Sequence, residues 1–320
     1  MSEAFARDYM RASQPRGRDV QLVSADGQRH LFLANGSRIF EVDEDLFLGV
    51  DRALTHGEEH VLGELLAAAG LAAHDFIDDV PLTAPTVHAL SLAVAQTCNL
   101  GCSYCYAQQG EFGGTAKSMP LATALAAVDM LSANAPEGAR LNLAFLGGEP
   151  LASREVLRAA TRHAVERAAA KGQTVSFSIT TNGTLVRPED GDFFEDHGFA
   201  VTISLDGRRE AHDAQRPFRN GRGSFDTIMQ RLAPLLRQQQ RMQVSARVTV
   251  TPRNLDLRET LDHFVDMGFF SVGFSPMLAS PTGEGEMQPA ELEVMLDAMI
   301  ACGREFERRT RAGQRYPFAN

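Results

Sequence analysis

The stretch ALSLAVAQTCNLGCSYCYAQ, residues 89–108, joins an apolar strand-like run to three closely spaced cysteines. These are Cys98, Cys102 and Cys105, and the fourth cysteine of the chain, Cys302, lies far downstream. A disulfide uses two cysteines, and a closed structural metal site has four protein ligands. Three thiols in one loop therefore favour a metal centre that keeps one coordination position for another ligand.

The apolar run within this stretch is the first of six strand-like segments, which alternate with amphipathic helical segments. The strand segments are 89–95, 141–146, 174–180, 199–204, 244–250 and 270–275, and the helical segments are 120–134, 153–171, 189–196, 224–239 and 256–267. Because helical crossovers separate the strands, we predict an α/β fold with a parallel sheet, either open and doubly wound or a curved partial barrel. Pro234 should make the fourth helix kink or begin late.

A different pattern precedes this alternation. RHLFLANGSRIFEVD (29–43) predicts a β-hairpin, because its Asn-Gly dipeptide accepts the left-handed backbone of a tight primed turn. Two helical patterns follow at 44–55 and 58–70, and Gly70 is placed to cap the second helix. A polar, arginine-rich arm (1–20) precedes the hairpin.

The linker VPLTAPT (80–86) separates these two patterns. We therefore expect three regions. They are a small N-terminal hairpin-plus-helices domain over residues 1–85, a core over 86–280 and a C-terminal helical segment over 281–320.

The composition limits the classes of function. Apolar residues make up 44% of the chain and charged residues 22%, as in ordinary globular proteins. No run of about 20 apolar residues and no signal-peptide pattern is found, so we expect a cytoplasmic protein without a membrane partner. The net charge of −10 argues against nucleic acid as a partner.

The unusual loops all follow predicted strands. The cysteine cluster follows the first strand, GGEP (147–150) the second, TNGT (181–184) the third and LDG (205–207) the fourth. In parallel α/β folds the carboxyl ends of the strands meet at one edge, where ligands bind. We therefore expect these loops to converge on one site.

Several metal centres are compatible with three thiols. A structural zinc site needs a fourth protein ligand, and His88 lies at the far end of the first strand. A catalytic zinc site should have a nearby carboxylate or histidine as general base. An iron–sulfur cubane with three cysteines would keep one iron open to a small chelating ligand. Inert thiols are the remaining alternative.

The cysteine spacing C-x3-C-x2-C, with Tyr104 before the third cysteine, resembles the signature of the radical S-adenosylmethionine (SAM) superfamily. GGEP resembles that superfamily's Gly-Gly-Glu loop, and the strand pattern resembles its partial (β/α)6 barrel. TTNGT (180–184), ISLDG (203–207) and HDAQR (212–216) further resemble the branch that matures peptides and sulfatases. The resemblance covers about residues 86–280.

This resemblance implies a [4Fe–4S] cluster held by the three cysteines and SAM chelated to the fourth iron. It further implies a 5′-deoxyadenosyl radical that abstracts a hydrogen atom from the substrate. Gly147 and Gly148 would lie against the SAM ammonium, and Glu149 would supply the opposite charge. The other implied cofactor contacts are Asn182, Ser204 and Asp206 for the ribose or its surroundings, Arg216 for the carboxylate, and Tyr104.

Each of these residues also has a structural alternative. Tyr104 could pack in the core, and Asn182 could cap a turn. Ser204 and Asp206 could cap the segment after their strand. Arg216 could form a structural ion pair, and Cys302 fits a buried thiol on a helix.

The resemblance also suggests a substrate. The N-terminal hairpin and helices resemble small domains that bind the leader segment of ribosomally made peptides by adding a strand to a sheet edge. We therefore expect a peptide maturase that installs a crosslink or other oxidative modification, with a flavodoxin or ferredoxin as electron donor. The alternatives are a sulfatase-type protein or small-molecule substrate, or a non-catalytic peptide-binding module with a structural metal site.

The residues beyond 280 differ from the corresponding region of the branch that the sequence resembles. Relatives in that branch carry a cysteine-rich C-terminal extension for auxiliary clusters, whereas this sequence has Cys302 as its last cysteine. We therefore expect either a piece of a longer chain or an enzyme that works with one cluster.

Overall fold

A computed structural model describes residues 19–25, 27–71 and 85–320 of the chain. Most of the predicted arm (1–20) and most of the linker (80–86) lie outside these residues. The chain divides into two compact units, Met1–Pro85 and Thr86–Asn320. None of the described helices is long and apolar enough to cross a membrane.

The N-terminal unit has a three-stranded antiparallel sheet followed by two helices. The strands are β1 Val20–Ala25, β2 Gln28–Leu33 and β3 Arg38–Glu41, in the order β1-β2-β3, and the helices are α1 Glu44–His56 and α2 Glu59–Ala68. The predicted hairpin and both predicted helices are therefore present, and β1 is an additional strand. Leu31 of the sheet packs with Val50 and Leu62 of the helices to form this unit's own core.

The second unit is built on a seven-stranded sheet. Its strands are β4 Ala89–Gln96, β5 Lys117–Ser118, β6 Arg140–Gly147, β7 Thr174–Thr181, β8 Ala200–Ser204, β9 Gln243–Val250 and β10 Val272–Pro276. The order is β10-β9-β8-β7-β6-β4-β5. The six predicted strands pair in parallel, and the short β5 pairs antiparallel with β4. The predicted parallel α/β sheet is confirmed.

Helices connect these strands, and a last helix follows β10. They are α3 Leu121–Asn134, α4 Arg154–Ala170, α5 Pro188–His197, α6 Arg209–Gln215, α7 Phe225–Gln238, α8 Leu257–Asp266 and α9 Pro289–Arg311, with a short 3₁₀ turn at Pro150–Ser153. The five predicted crossover helices are all present, and α6 is an addition. Pro234 lies inside α7, which already begins at Phe225, so the late start proposed for this helix is wrong.

The core of the second unit lies between the sheet and these helices. Phe199, which is fully buried, stacks on Phe145 of β6 and Phe177 of β7 with ring centroids 6.1 and 5.2 Å away. Large buried rings from neighbouring strands fix the strand register at the centre of the sheet. The loops at the carboxyl ends of β4, β6, β7 and β8 therefore meet at one edge.

The C-terminal segment belongs to the second unit. Cys302 of α9 is buried in the core, as predicted. Beyond the helix, the chain runs beside the outer edge of β10, where Val272 donates its N–H to Pro317 O at 2.9 Å. The side chain of Asn320 completes this pairing by bonding both the N–H and the C=O of Phe274. An otherwise open sheet edge is thereby covered.

Candidate active site

The three cysteines lie in the loop that follows β4, and each is half-buried. A second loop, after α6, fixes the position of this segment. Gly101 donates its N–H to Pro217 O at 2.8 Å, and Ser103 donates to Gln215 O at 3.1 Å. The cysteine loop is thus held by backbone hydrogen bonds over most of its length.

The surroundings of the thiols oppose ionisation in the free protein. Burial is the main cause that raises the pKa of Cys102 to about 12; the Arg216 charge opposes this rise, and Cys98 and Cys105 contribute to it. Burial also raises the pKa of Cys98. The mutual effects show that the three thiols lie near one another.

The thiols can serve as ligands for iron. Within the described residues, no three His, Cys, Asp or Glu side chains are gathered closely enough to hold one metal ion. In a cubane each iron takes its own thiolate, so the three thiols of this loop can supply ligands for three of the four irons. Arg216 beside Cys102 favours the thiolate form that metal binding requires. The residues present therefore fit the predicted cluster.

The glycines of GGEP are required by a close crossing of two backbones. Gly148 donates its N–H to Ala95 O at 2.8 Å. A Cβ on Gly148 would lie 2.4 Å from Thr97 O, and one on Gly147 would lie 2.3 Å from Ala95 O. The missing side chains thus make room for the protein's own cysteine loop. Their predicted contact with SAM stays a prediction.

Glu149 joins the ends of two strands through its carboxylate. Its side chain is fully buried, and Oε1 accepts hydrogen bonds from Thr181 Oγ1 at 2.7 Å and from Leu151 N–H at 3.0 Å. Oε2 accepts from Asn182 N–H at 2.8 Å. Burial raises the pKa of Glu149, and these three hydrogen bonds oppose the rise. The predicted contact of this carboxylate with the SAM ammonium also stays a prediction.

Asn182 connects TTNGT to the cysteine loop. Its Nδ2 donates to Asn99 Oδ1 at 3.1 Å and to Cys98 Sγ at 3.6 Å. Its Oδ1 accepts from Thr184 N–H at 2.9 Å. The sequence suggested Asn182 as a ribose contact or a turn cap. The structure shows the turn cap and adds the contact with Cys98.

Tyr104, Asp206 and Arg216 form one buried cluster. The Tyr104 hydroxyl donates to Asp206, and Arg216 Nε donates to Asp206 Oδ2 at 2.8 Å. Thr249 N–H donates to Oδ1 at 3.0 Å, and the Arg216 guanidinium lies 5.3 Å from the centroid of the Tyr104 ring. Three predicted cofactor contacts are thus brought together, as a buried ion pair with an aromatic partner.

Two polar side chains at the same sheet edge keep unused hydrogen-bonding groups. The hydroxyl of Ser204, at the end of β8, has no hydrogen-bond partner among the described residues. Gln96, at the end of β4, buries its Oε1 atom without a partner in that part of the chain. Gln96 was not predicted as a site residue, although its position before the cysteine loop was a usable signal.

His212, which was also not predicted as a site residue, accepts a hydrogen bond from the backbone of Asp206 and so helps to hold the Tyr104–Asp206–Arg216 cluster. Asp206 N–H donates to His212 Nδ1 at 3.3 Å, and His212 Nε2 lies 3.0 Å from Ser224 Oγ. Because a backbone amide can only donate, Nδ1 is the acceptor and the ring proton lies on Nε2. Burial lowers the pKa of His212 to about 4, so the ring is neutral near pH 7.

A match to a known family accompanies this geometry. The family model of the Radical SAM superfamily matches residues 92–265, which are more than half of the 320-residue chain. The chain belongs to the radical SAM superfamily. Radical SAM enzymes use a [4Fe–4S] cluster and SAM, so the predicted superfamily and cofactors are confirmed.

Two characterised relatives are sulfatase-maturating enzymes. This radical SAM chain is 28% identical over 236 residues to the serine-type anaerobic sulfatase-maturating enzyme of Klebsiella aerogenes, covering 71% of this chain and 56% of that enzyme. It is 34% identical over 138 residues to the cysteine-type anaerobic sulfatase-maturating enzyme of Clostridium novyi, covering 42% of this chain and 36% of that enzyme. The chain thus spans little more than half of the Klebsiella relative.

Solved structures share the fold. Native anSMEcpe with bound AdoMet has a TM-score of 0.62 and 20% identity, covering 72% of this chain and 63% of that chain. Streptococcus suis SuiB has a TM-score of 0.54 and 13% identity, covering 95% of this chain and 71% of that chain. The fold of a radical SAM partial barrel and the resemblance to the peptide- and sulfatase-maturing branch are confirmed.

Replacing Gly148 by alanine should destabilise the second unit by about 3 kcal/mol, because the new Cβ would overlap Thr97 O. The measurement is urea unfolding followed by far-UV circular dichroism. Gly303→Ala is the matched control, since Gly303 lies in α9 with open space around it. This variant should be more stable than the native protein by up to about 1 kcal/mol, because alanine favours the helix more than glycine does. Equal stability of Gly148→Ala and the native protein would contradict the close crossing.

The neutral state of His212 predicts a pH dependence of stability. Because its folded-state pKa of about 4 lies below the ordinary 6.5, its contribution is present above pH 6.5 and is lost as the pH falls. The difference in unfolding free energy between the native protein and His212→Asn should shrink by about 3 kcal/mol from pH 7 to pH 4. A difference that does not change with pH would show that His212 is not buried in its neutral form.

Proposed function

We propose that this chain cleaves SAM reductively and abstracts a hydrogen atom from a ribosomally made peptide, leaving a crosslink or another oxidative modification. The observation that supports this best is the linkage of the cysteine loop, GGEP and TTNGT through Glu149 and Asn182 at one sheet edge. When bound, the cluster and SAM together supply the 5′-deoxyadenosyl radical. The protein's own contribution is to hold ligands, balance charge and exclude water.

Each residue of the site has a role in this proposal. The thiolates of Cys98, Cys102 and Cys105 would hold three of the irons. Arg216, which is buried beside Cys102, would balance part of the negative charge that these thiolates bring. The hydroxyl of Ser204, free of other partners in the described chain, is our assignment for the SAM ribose.

The N-terminal unit supports a peptide substrate. Its sheet ends in β3, whose outer edge has no strand partner among the described residues. The side chain of Ile39 on this strand is 63% exposed. An extended leader peptide can add a strand to such an edge and place an apolar side chain against it. The likeness to SuiB extends over 95% of this chain and includes this region.

The reaction also needs a partner and a compartment. We propose a flavodoxin or ferredoxin as the one-electron donor, since the cysteine loop is half-buried and therefore within reach of a docking protein. We place the enzyme in the cytoplasm, where its four thiols would remain reduced.

A second candidate function is the maturation of a sulfatase. It is favoured by the 28% identity to the Klebsiella aerogenes sulfatase-maturating enzyme over 71% of this chain. In that case the substrate would be a sulfatase polypeptide. Parallel assays with a sulfatase-derived peptide and with a ribosomally made precursor peptide, read by mass spectrometry, separate the two candidates.

The proposed chemistry predicts a specific set of cysteine variants. Changing Cys98, Cys102 or Cys105 to alanine should abolish cluster absorbance after anaerobic reconstitution with iron and sulfide. Formation of 5′-deoxyadenosine with dithionite and SAM should fall to background, because in each variant one iron of the cluster would lose its thiolate. Cys302→Ala is the matched control and should keep both signals, since Cys302 lies buried in α9.

Two results would contradict the proposed chemistry. Retention of zinc and failure of the native chain to form a cluster would overturn the radical reaction. A native chain that forms the cluster without releasing 5′-deoxyadenosine would favour the non-catalytic peptide-binding module.

The peptide assignment predicts an effect of charge on the β3 edge. Ile39→Glu should weaken binding of the precursor peptide about tenfold, equivalent to about 1.4 kcal/mol, while SAM cleavage without peptide stays unchanged. Fluorescence anisotropy with labelled peptide and the full chain measures this. Val23→Glu is the control, because Val23 is also exposed (46%) but lies on β1, the opposite edge. Equal losses in both variants, or none in Ile39→Glu, would refute the β3 site.

A further inference from the structure

We infer that Asn182 is a positioning residue, whose side-chain amide donates a hydrogen bond to the Cys98 thiolate and raises the reduction potential of the cluster. This inference rests on the proposed function, since it requires a cluster on Cys98. Asn182 and Cys98 are 84 residues apart in the sequence, and the fold brings Nδ2 of Asn182 to 3.6 Å from Sγ of Cys98.

The orientation of the Asn182 amide is fixed by its neighbours. The N–H of Thr184, an obligate donor, lies 2.9 Å from Oδ1 of Asn182, so this atom must be the acceptor. The Thr184 hydroxyl donates to the same oxygen at 2.6 Å and accepts from Asn99 Nδ2 at 2.7 Å. Asn182 Nδ2 therefore faces Asn99 Oδ1 and Cys98 Sγ, and a flipped amide would place two donors against each other.

The backbone of Asn182 is held equally firmly. Its N–H donates to Glu149 Oε2 at 2.8 Å, inside a region where Glu149 is fully buried. Thr181 Oγ1, bonded to the same carboxylate, accepts from Gly183 N–H at 3.1 Å. Because both the backbone and the amide are constrained, the donor reaches the sulfur without a further loss of side-chain entropy.

The expected effect follows from the charge on the sulfur. A hydrogen bond to a ligating thiolate withdraws electron density, and this stabilises the reduced cluster more than the oxidised one. The N–H of Leu100, 3.5 Å from Cys98 Sγ, acts in the same sense, so Cys98 has one backbone donor and one side-chain donor. Removal of the Asn182 donor should therefore make the cluster harder to reduce.

The test is an EPR-monitored redox titration of the reconstituted chain, residues 1–320, without SAM or substrate. Asn182→Ala should shift the midpoint potential to more negative values by about 59 mV, a tenfold change in a one-electron equilibrium. Asn142→Ala is the matched control, because Asn142 is exposed near the amino end of β6 and bonds Ser176 instead. Its potential should equal that of the native protein.

A second variant covers the case in which Asn182→Ala does not fold. Thr184→Val keeps the side-chain volume and removes the hydroxyl bond to Asn182 Oδ1, so it should give a smaller shift in the same direction. An unchanged or more positive potential in the folded variants overturns the inference. If the same native preparation forms a cluster and releases 5′-deoxyadenosine in a separate assay with SAM and dithionite, the proposed function survives. A native protein without a cluster overturns both.

Discussion

The buried carboxylate of Glu149 holds the site together. A fully buried anion is costly unless hydrogen bonds replace its water, and Glu149 accepts three, from Thr181, Asn182 and Leu151. These donors come from the end of β7 and from the turn after β6. Because one carboxylate satisfies donors of both segments, neither loop can shift without leaving a charge or an amide unpaired.

The cysteine loop is joined to these segments by a backbone hydrogen bond as well as by the side chains of Asn182 and Asn99. Glu149 N–H donates to Thr97 O at 2.8 Å, one residue before the first cysteine of the loop. The pairing of β4 with β6 shifts register between Ala93 and Ala95, which turns the chain toward the crossing with Gly147. On the far side, the Tyr104–Asp206–Arg216 cluster anchors the end of the loop. The protein's own contacts thus position the thiols from both sides.

Much of this arrangement could be predicted from the sequence, and the rest depends on contacts that a linear pattern does not contain. The strand and helix periodicities predicted the six parallel strands. The positions of the unusual loops predicted that these loops meet at one edge of the sheet. Strand β1 (Val20–Ala25) falls almost entirely between the predicted arm (1–20) and the predicted hairpin (29–43), although the Asp26-Gly27 dipeptide after it is typical of a hairpin turn. The role of Asn182 beside Cys98 depends on a tertiary contact that no local propensity encodes.

The proposed chemistry requires that three thiols of one loop hold a single [4Fe–4S] cluster with an iron open to SAM. EPR spectroscopy of the reduced, anaerobically reconstituted native protein, with and without SAM, tests it directly. The predicted result is one [4Fe–4S] signal per chain whose g values change when SAM is added. A signal indifferent to SAM, or a protein that retains zinc and shows no cluster signal, would contradict it.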